Sequence, residues 1–256
     1  MSIPVICSKS LGQGKPIVLI HPFPLWSDFW EGLEPIPGFR LIFPDFPGFG
    51  LSPAPVDKVL TFTDAAAGLK NHLEGLSLAG PFVLGGISMG GYWAMEFYRN
   101  YPGEVRALIF SSTRPGADKP EGRQKRLDMA LRVEKEGTGF LPDAMTPTLL
   151  GKSTLDQKPE IVQKIRHWIE KTPASGVALA QRTMADRLDQ TQLLAGLPVK
   201  TLILAGAEDI LIPPAEAKAM TRLIPDSSLQ IIDHVGHLIP IENPDLFQLS
   251  LNTFLA

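Results

Sequence analysis

Ser88 lies at the centre of Gly85-Gly86-Ile87-Ser88-Met89-Gly90-Gly91, the stretch of this chain richest in chemical possibility. The apolar run Phe82-Val83-Leu84 leads into it and the helix-like Tyr92-Trp93-Ala94-Met95-Glu96-Phe97-Tyr98 leads out, so the serine falls on a sharp strand-to-helix turn. Glycines two residues before and after it leave out the Cβ atoms that a close approach of strand and helix would not accommodate. Such a turn lifts the serine Oγ clear of the sheet, with the N–H of Met89 facing the same space at a helix N-terminus. A nucleophile and half of an oxyanion hole result, which is the equipment of acyl transfer.

A serine hydroxyl attacks poorly until a base takes its proton, and a third group must orient that base. Both kinds of partner follow in the order acid, then histidine. The run Thr201-Leu202-Ile203-Leu204 ends in Ala205-Gly206-Ala207-Glu208-Asp209, and Leu229-Gln230-Ile231-Ile232 ends in Asp233-His234-Val235-Gly236-His237. Residue type and position alone leave Glu208 beside Asp209 for the acid, and His234 beside His237 for the base. Other chemistries fit poorly. Gly12-Gln13-Gly14-Lys15 lacks the spacing of a phosphate loop and runs into Pro16, and the glycines around Ser88 lack dinucleotide spacing. Neither His-Glu-x-x-His nor a cysteine cluster occurs, so no metal and no cofactor are expected.

These residues need a scaffold that presents strand ends along one edge. Short apolar runs at 17–20, 41–43, 82–84, 107–110, 201–204 and 229–232 suit strands buried on both faces, hence a parallel sheet covered by helices. Crossover helices are predicted over 63–76, 89–100 and 214–223, with a closing helix over 244–255. This alternation predicts an α/β fold with a mostly parallel, doubly wound central sheet flanked by helices. It breaks between about Arg114 and Leu197, where helical patterns at 119–136, 158–171 and 173–187 are punctuated by Pro142, Pro147, Pro159 and Pro173. Residues 1–114 and 197–256 are therefore read as the core and 115–196 as an inserted α-helical cap, placed to fold over the strands' carboxyl ends.

Composition sets the outer bounds. The 256 residues, 44% hydrophobic and 20% charged, can bury one large core. A net charge of −3 gives no case for nucleic acid or an anionic membrane surface. Arg123, Lys125, Arg126 and Arg132 alternate with acids and read as a solvated helix face. The single cysteine, Cys7, excludes an internal disulfide framework and reads as a small buried hydrophobe. Met1-Ser2-Ile3-Pro4 opens without a leader pattern, and no apolar run approaches the ~20 residues of a membrane span, so a cytoplasmic protein is expected, as a monomer or homodimer.

Five pieces together resemble the α/β-hydrolase fold, in its esterase, lactonase and C–C hydrolase branch. They are His21-Pro22-Phe23-Pro24, Asp45-Phe46-Pro47-Gly48-Phe49-Gly50-Leu51-Ser52, the serine turn, Gly206-Ala207-Glu208-Asp209 and Gly236-His237. The resemblance implies Ser88 as nucleophile, Asp209 as orienting acid, His237 as base, and the N–H groups of Phe23 and Met89 as oxyanion donors. Pro22 stands where that family has glycine, and the N-terminal segment is short for the family's hairpin, giving a sheet of seven or eight strands. Glu208 then reads as a surface carboxylate and His234 as a loop histidine. His21 is expected to hold the oxyanion loop, and Asp45 to brace its own turn.

The expected activity is hydrolysis of small to medium carboxylic esters with an apolar acyl part. Leu25, Trp26, Met129, Phe140, Leu141, Met145, Trp168 and Met184 are the candidates to contact substrate. The alternatives are an enol-lactonase-like lactonase, with Arg126 or Arg182 holding an anionic lactone, and a C–C bond hydrolase. A non-enzymatic small-molecule receptor on the same fold is a third.

Overall fold

The computed structural model describes residues 3–55, 59–78 and 80–256; Met1 and Ser2 of the segment read for a leader lie outside them. The chain opens with strands β1 (Ser8–Gly12), β2 (Lys15–Ile20) and β3 (Phe39–Pro44), then helix α1 (Phe62–Gly75). Strand β4 (Phe82–Ile87), helix α2 (Met89–Asn100) and strand β5 (Val105–Ser111) follow. Six helices come next: α3 (Pro120–Glu136), α4 (Leu141–Leu149), α5 (Lys152–Gln157), α6 (Pro159–Lys171), α7 (Ala174–Ala185) and α8 (Thr191–Leu194). The chain then returns through β6 (Lys200–Gly206), α9 (Pro214–Leu223), β7 (Ser227–Ile232), α10 (Ile239–Glu242) and α11 (Pro244–Leu255).

The seven strands form one sheet in the order β1-β3-β2-β4-β5-β6-β7, parallel except for β1 against β3. Every residue of β4 is buried, as its continuous apolar character demands of a central parallel strand. Register aligns the carboxyl ends of the middle strands, with Ile87 opposite Ser111 and Ser111 opposite Leu204. The segments after β4, β5 and β6 therefore start along one edge. Beside that edge Phe46 meets Trp93 edge to face, ring centroids 5.3 Å apart, tying the turn after β3 to α2. Cys7 is half-buried rather than fully enclosed, and its N–H donates to Ser52 Oγ.

The break in alternation is a run of helices between β5 and β6 that lies over the carboxyl edge. Thr172 Oγ1 donates to Pro24 O beyond β2 (2.8 Å), Thr183 Oγ1 to Leu60 O (3.1 Å), and the N–H of His237 beyond β7 to Leu149 O (3.2 Å). Its two ends meet at Asp118. Arg187 Nη1 lies 2.6 Å from that carboxyl group, Arg114 Nη2 2.9 Å, and Arg126 Nε is also bound to it. Arg126 thus departs from the solvated face expected of it.

Candidate active site

Ser88 joins β4 to α2 with φ 53° and ψ −115°, a backbone conformation that costs a non-glycine residue about 1–3 kcal/mol. Neighbouring bonds hold it there. Its N–H donates to Ser111 O (3.0 Å), and its carbonyl accepts from Gly91 N–H (2.9 Å) and Thr113 Oγ1 (2.9 Å). A Cβ on Gly86 would lie 2.1 Å from Gly90 O, and one on Gly90 2.3 Å from Ile20 O. The two glycines therefore let the first turn of α2 close both on β4 and on the end of β2.

Asp209 and His237 arrive from β6 and β7, and both side chains are fully buried. His237 Nδ1 is 2.8 Å from Asp209 Oδ2, while Asp209 Oδ1 accepts the N–H groups of Leu211 and Ile212, each at 2.9 Å. That carboxyl group is fixed on both oxygens, so the proton shared with imidazole belongs on Nδ1 and Nε2 is left as an acceptor. Nε2 is buried and, among the described residues, without a hydrogen-bond partner. Such a site suits a base that accepts a proton, and among the described residues no hydrogen bond joins Ser88 to His237.

The loop after β2 supplies the other expected donor. Leu25 N–H closes onto Pro22 O at 2.9 Å, across a cis Phe23–Pro24 bond. Among the described residues, no protein acceptor takes the N–H of Phe23 or of Met89, the first residue of α2. His21 sits fully buried beneath this loop, its Nε2 accepting from Phe46 N–H (2.9 Å) and Nδ1 facing Pro22 O (3.1 Å). Burial lowers its pKa against the opposing charge of Asp45, so a neutral ring with its proton on Nδ1 satisfies both bonds. Asp45 accepts from Ser27 N–H (2.6 Å) and Leu51 N–H (2.9 Å), bracing its turn as expected.

Glu208 and His234 stand apart from this constellation. Glu208 binds the N–H and Oγ of Ser153 at 2.7 and 2.6 Å, bonds that lower its pKa, and the His234 side chain is 83% exposed. Of the candidate pocket residues, Trp26 and Trp168 meet at 6.4 Å between ring centroids, linking the loop after β2 to α6. Leu25, Leu141 and Met184 are buried in the apolar core, whereas Trp26, Met129, Phe140 and Met145 pack against it partly exposed. Phe140 carries the guanidinium of Arg132 over its ring at 3.6 Å. The two cations considered for an anionic lactone are already engaged. Arg126 binds Asp118 and Gln181, and Arg182 makes a two-pronged pair with Glu134 at 2.8 and 2.7 Å.

Thr113 and Glu242 were not legible as site residues. Nothing marks Thr113 beyond its place just after β5. Glu242 gave one signal, a lone acid closing the apolar run Leu238-Ile239-Pro240-Ile241, and it is completely buried.

Comparison with known proteins agrees with this architecture. The structure superposes with a TM-score of 0.93 on a thermophilic esterase from Thermogutta terrifontis solved with malate bound, 39% identical, covering 98% of this chain and 92% of that one. Curated relatives include Lipase 3 of a Moraxella strain, 25% identical over 240 residues (90% of this chain, 73% of the lipase). The 2-hydroxy-6-oxo-6-phenylhexa-2,4-dienoate hydrolase of Burkholderia cepacia is 26% identical over 263 residues (96% and 89%). A family model described as the alpha/beta hydrolase fold matches residues 15–244, and the chain belongs to that family.

Proposed function

We propose that this protein is a serine hydrolase that cleaves small to medium carboxylic esters through an acyl-enzyme on Ser88. The observation that carries the reading is the fixed Asp209–His237 pair with an uncommitted, buried Nε2, on the sheet edge where Ser88 stands at a strained turn. Ser88 Oγ attacks the ester carbonyl as His237 Nε2 takes its proton, and Asp209 stabilises the imidazolium. The oxyanion is held by the unengaged N–H groups of Phe23 and Met89, each such donor typically worth about 10²–10³ in rate. His237 returns the proton to the leaving alkoxide, and water repeats the sequence on the acyl-enzyme.

Residues 115–196 act as a cap in this reading, and Trp26 and Trp168 form an aromatic wall where the cap meets the oxyanion loop. Leu25, Met129, Phe140, Leu141, Met145 and Met184 are proposed to shape the apolar acyl site with them. An ester is favoured over an anionic lactone because Arg126 and Arg182 already bind carboxylates. No helix among the described residues is long and apolar enough to cross a membrane.

Short-chain p-nitrophenyl esters and a fluorophosphonate probe test the reading. Wild-type protein is expected to turn over the esters and to be labelled on Ser88. Ser88→Ala is expected to lose labelling and about 10⁴-fold or more of kcat. Failure of the wild-type protein both to label and to turn over any ester sinks the proposal.

A further inference from the structure

Three consecutive amides at the candidate base are each bound. Gly236 N–H donates to Glu242 Oε2 (3.0 Å), His237 N–H to Leu149 O (3.2 Å), and Leu238 N–H to Glu242 Oε1 (3.0 Å). Glu242 therefore grips the main chain on both sides of His237 with separate oxygens of one carboxyl group. Oε2 takes a second bond at 2.7 Å from the N–H of Gly151, in the insertion between α4 and α5. Lys158 Nζ also approaches Glu242 (2.7 Å), but its partner is the main-chain oxygen.

The backbones at this junction touch. A Cβ on Gly236 would lie 2.1 Å from Gly151 N, and one on Gly151 2.6 Å from Gly236 N. No side chain fits between the two segments, and the carboxyl group of Glu242 closes the contact from one side. Burying a carboxyl group without a cation is costly, and three well-placed amide donors offset much of that cost. An apolar side chain would fill the same space without gripping the loop, so packing alone does not account for an acid here.

From this geometry, and resting on the catalytic role proposed for His237, we infer that Glu242 is a positioning residue for the base. It sets the main-chain position from which the His237 ring meets Asp209 and keeps Nε2 free on the sheet edge that also carries Ser88. Through Gly151 it also makes the insertion part of the holder. A ring held by Asp209 alone keeps its tautomer but can swing about that one bond. The grip at residues 236 and 238 fixes the main-chain end from which the ring is held, and sub-ångström placement is what proton transfer in the attack step requires.

Glu242→Gln and Glu242→Leu test this. Glutamine keeps the shape and one carbonyl acceptor but turns an NH₂ donor toward an amide N–H. Leucine removes both acceptors at similar volume. Relative to wild type, kcat on a p-nitrophenyl ester is expected to fall about tenfold in the glutamine variant and about 100-fold in the leucine variant. KM should stay within about twofold, with the rate of fluorophosphonate labelling falling in step with kcat. The low-field proton resonance of the His237–Asp209 bond should shift or broaden in both variants. Two outcomes overturn the inference. One is wild-type kcat in both variants, whatever their thermal stability. The other is a raised KM with kcat and the resonance preserved, which would confine Glu242 to shaping the insertion. A wild-type protein that neither labels nor turns over ester would defeat the catalytic reading itself, a result separable from these.

Discussion

Ser88 is held in a strained conformation by groups that themselves do no chemistry, and Thr113 is the least obvious of them. Its Oγ1 donates to the serine carbonyl, and its side chain fills the space that the missing Cβ of Gly91 leaves open. Thr113→Val keeps the shape and deletes the hydrogen bond, worth about 0.5–1.5 kcal/mol. We expect kcat to fall about threefold to tenfold with KM unchanged, measured by steady-state ester hydrolysis; an unchanged kcat would show that the turn is held without Thr113. The asymmetry in what could be read beforehand follows from distance along the chain. The glycines around Ser88, and His237 after its own glycine, announce themselves because their constraints are local. The partner of Ser88 O is set by which strands lie side by side, so Thr113 carries no local mark, whereas Glu242 lies six residues from Gly236 and showed in the sequence only as a lone acid closing an apolar run.

At the scale of elements, the central strands and crossover helices were readable because each has a single period and clear stops. Helix α2 spans Met89–Asn100 and α9 spans Pro214–Leu223, as the pattern predicted. Strand β1 was missed because Ser8-Lys9-Ser10-Leu11-Gly12 is polar and short, a composition that suits a sheet edge where one side meets water. It pairs with β3 and forms no hairpin with β2, which puts the sheet at seven strands, the low end of the expected range. Helices α4 and α5 were lost among the prolines, Pro142 lying in the first turn of α4 and Pro147 inside it, and α8 is four residues long, too short to show a period.

The Asp118 cluster belongs to this scale, since it joins the chain just after β5 to α3 and to the segment after α7. Burial alone would raise the pKa of Asp118, but hydrogen bonds from Arg187 and Arg126 and their charges outweigh it and lower the value from 3.8 to about 2. A lowered carboxyl pKa means stability present in full above the ordinary value and lost as pH falls through about 2. The shift corresponds to about 2 kcal/mol. Asp118→Asn imitates the protonated form, so in urea unfolding it should be about 2 kcal/mol less stable than wild type near neutral pH. That gap should close as the pH is lowered from about 4 to 2; a gap constant over this window would remove Asp118 from the acid response.

For the whole molecule, the family match and the architecture agree on a hydrolase core. Selectivity within such a core depends on what covers the sheet edge, and here that covering is joined to the loops below it. Thr172 reaches Pro24, Ser153 reaches Glu208, and Leu149 and Gly151 bracket the loop of His237. The junction at Gly151 bears on how this scaffold can be re-engineered. Replacing residues 115–196 wholesale with the equivalent segment of a relative exchanges the proposed acyl pocket and, with it, two of the contacts proposed to set the base. We expect such a chimera to fold yet hydrolyse p-nitrophenyl esters slowly, and to recover when Leu149–Gly151 of this chain is restored inside the foreign segment. Full activity in the plain chimera would show the two parts to be independent modules. On that expectation the useful cut sites for recombination lie outside that tripeptide, a portion of the proposed catalytic half that is encoded in the other.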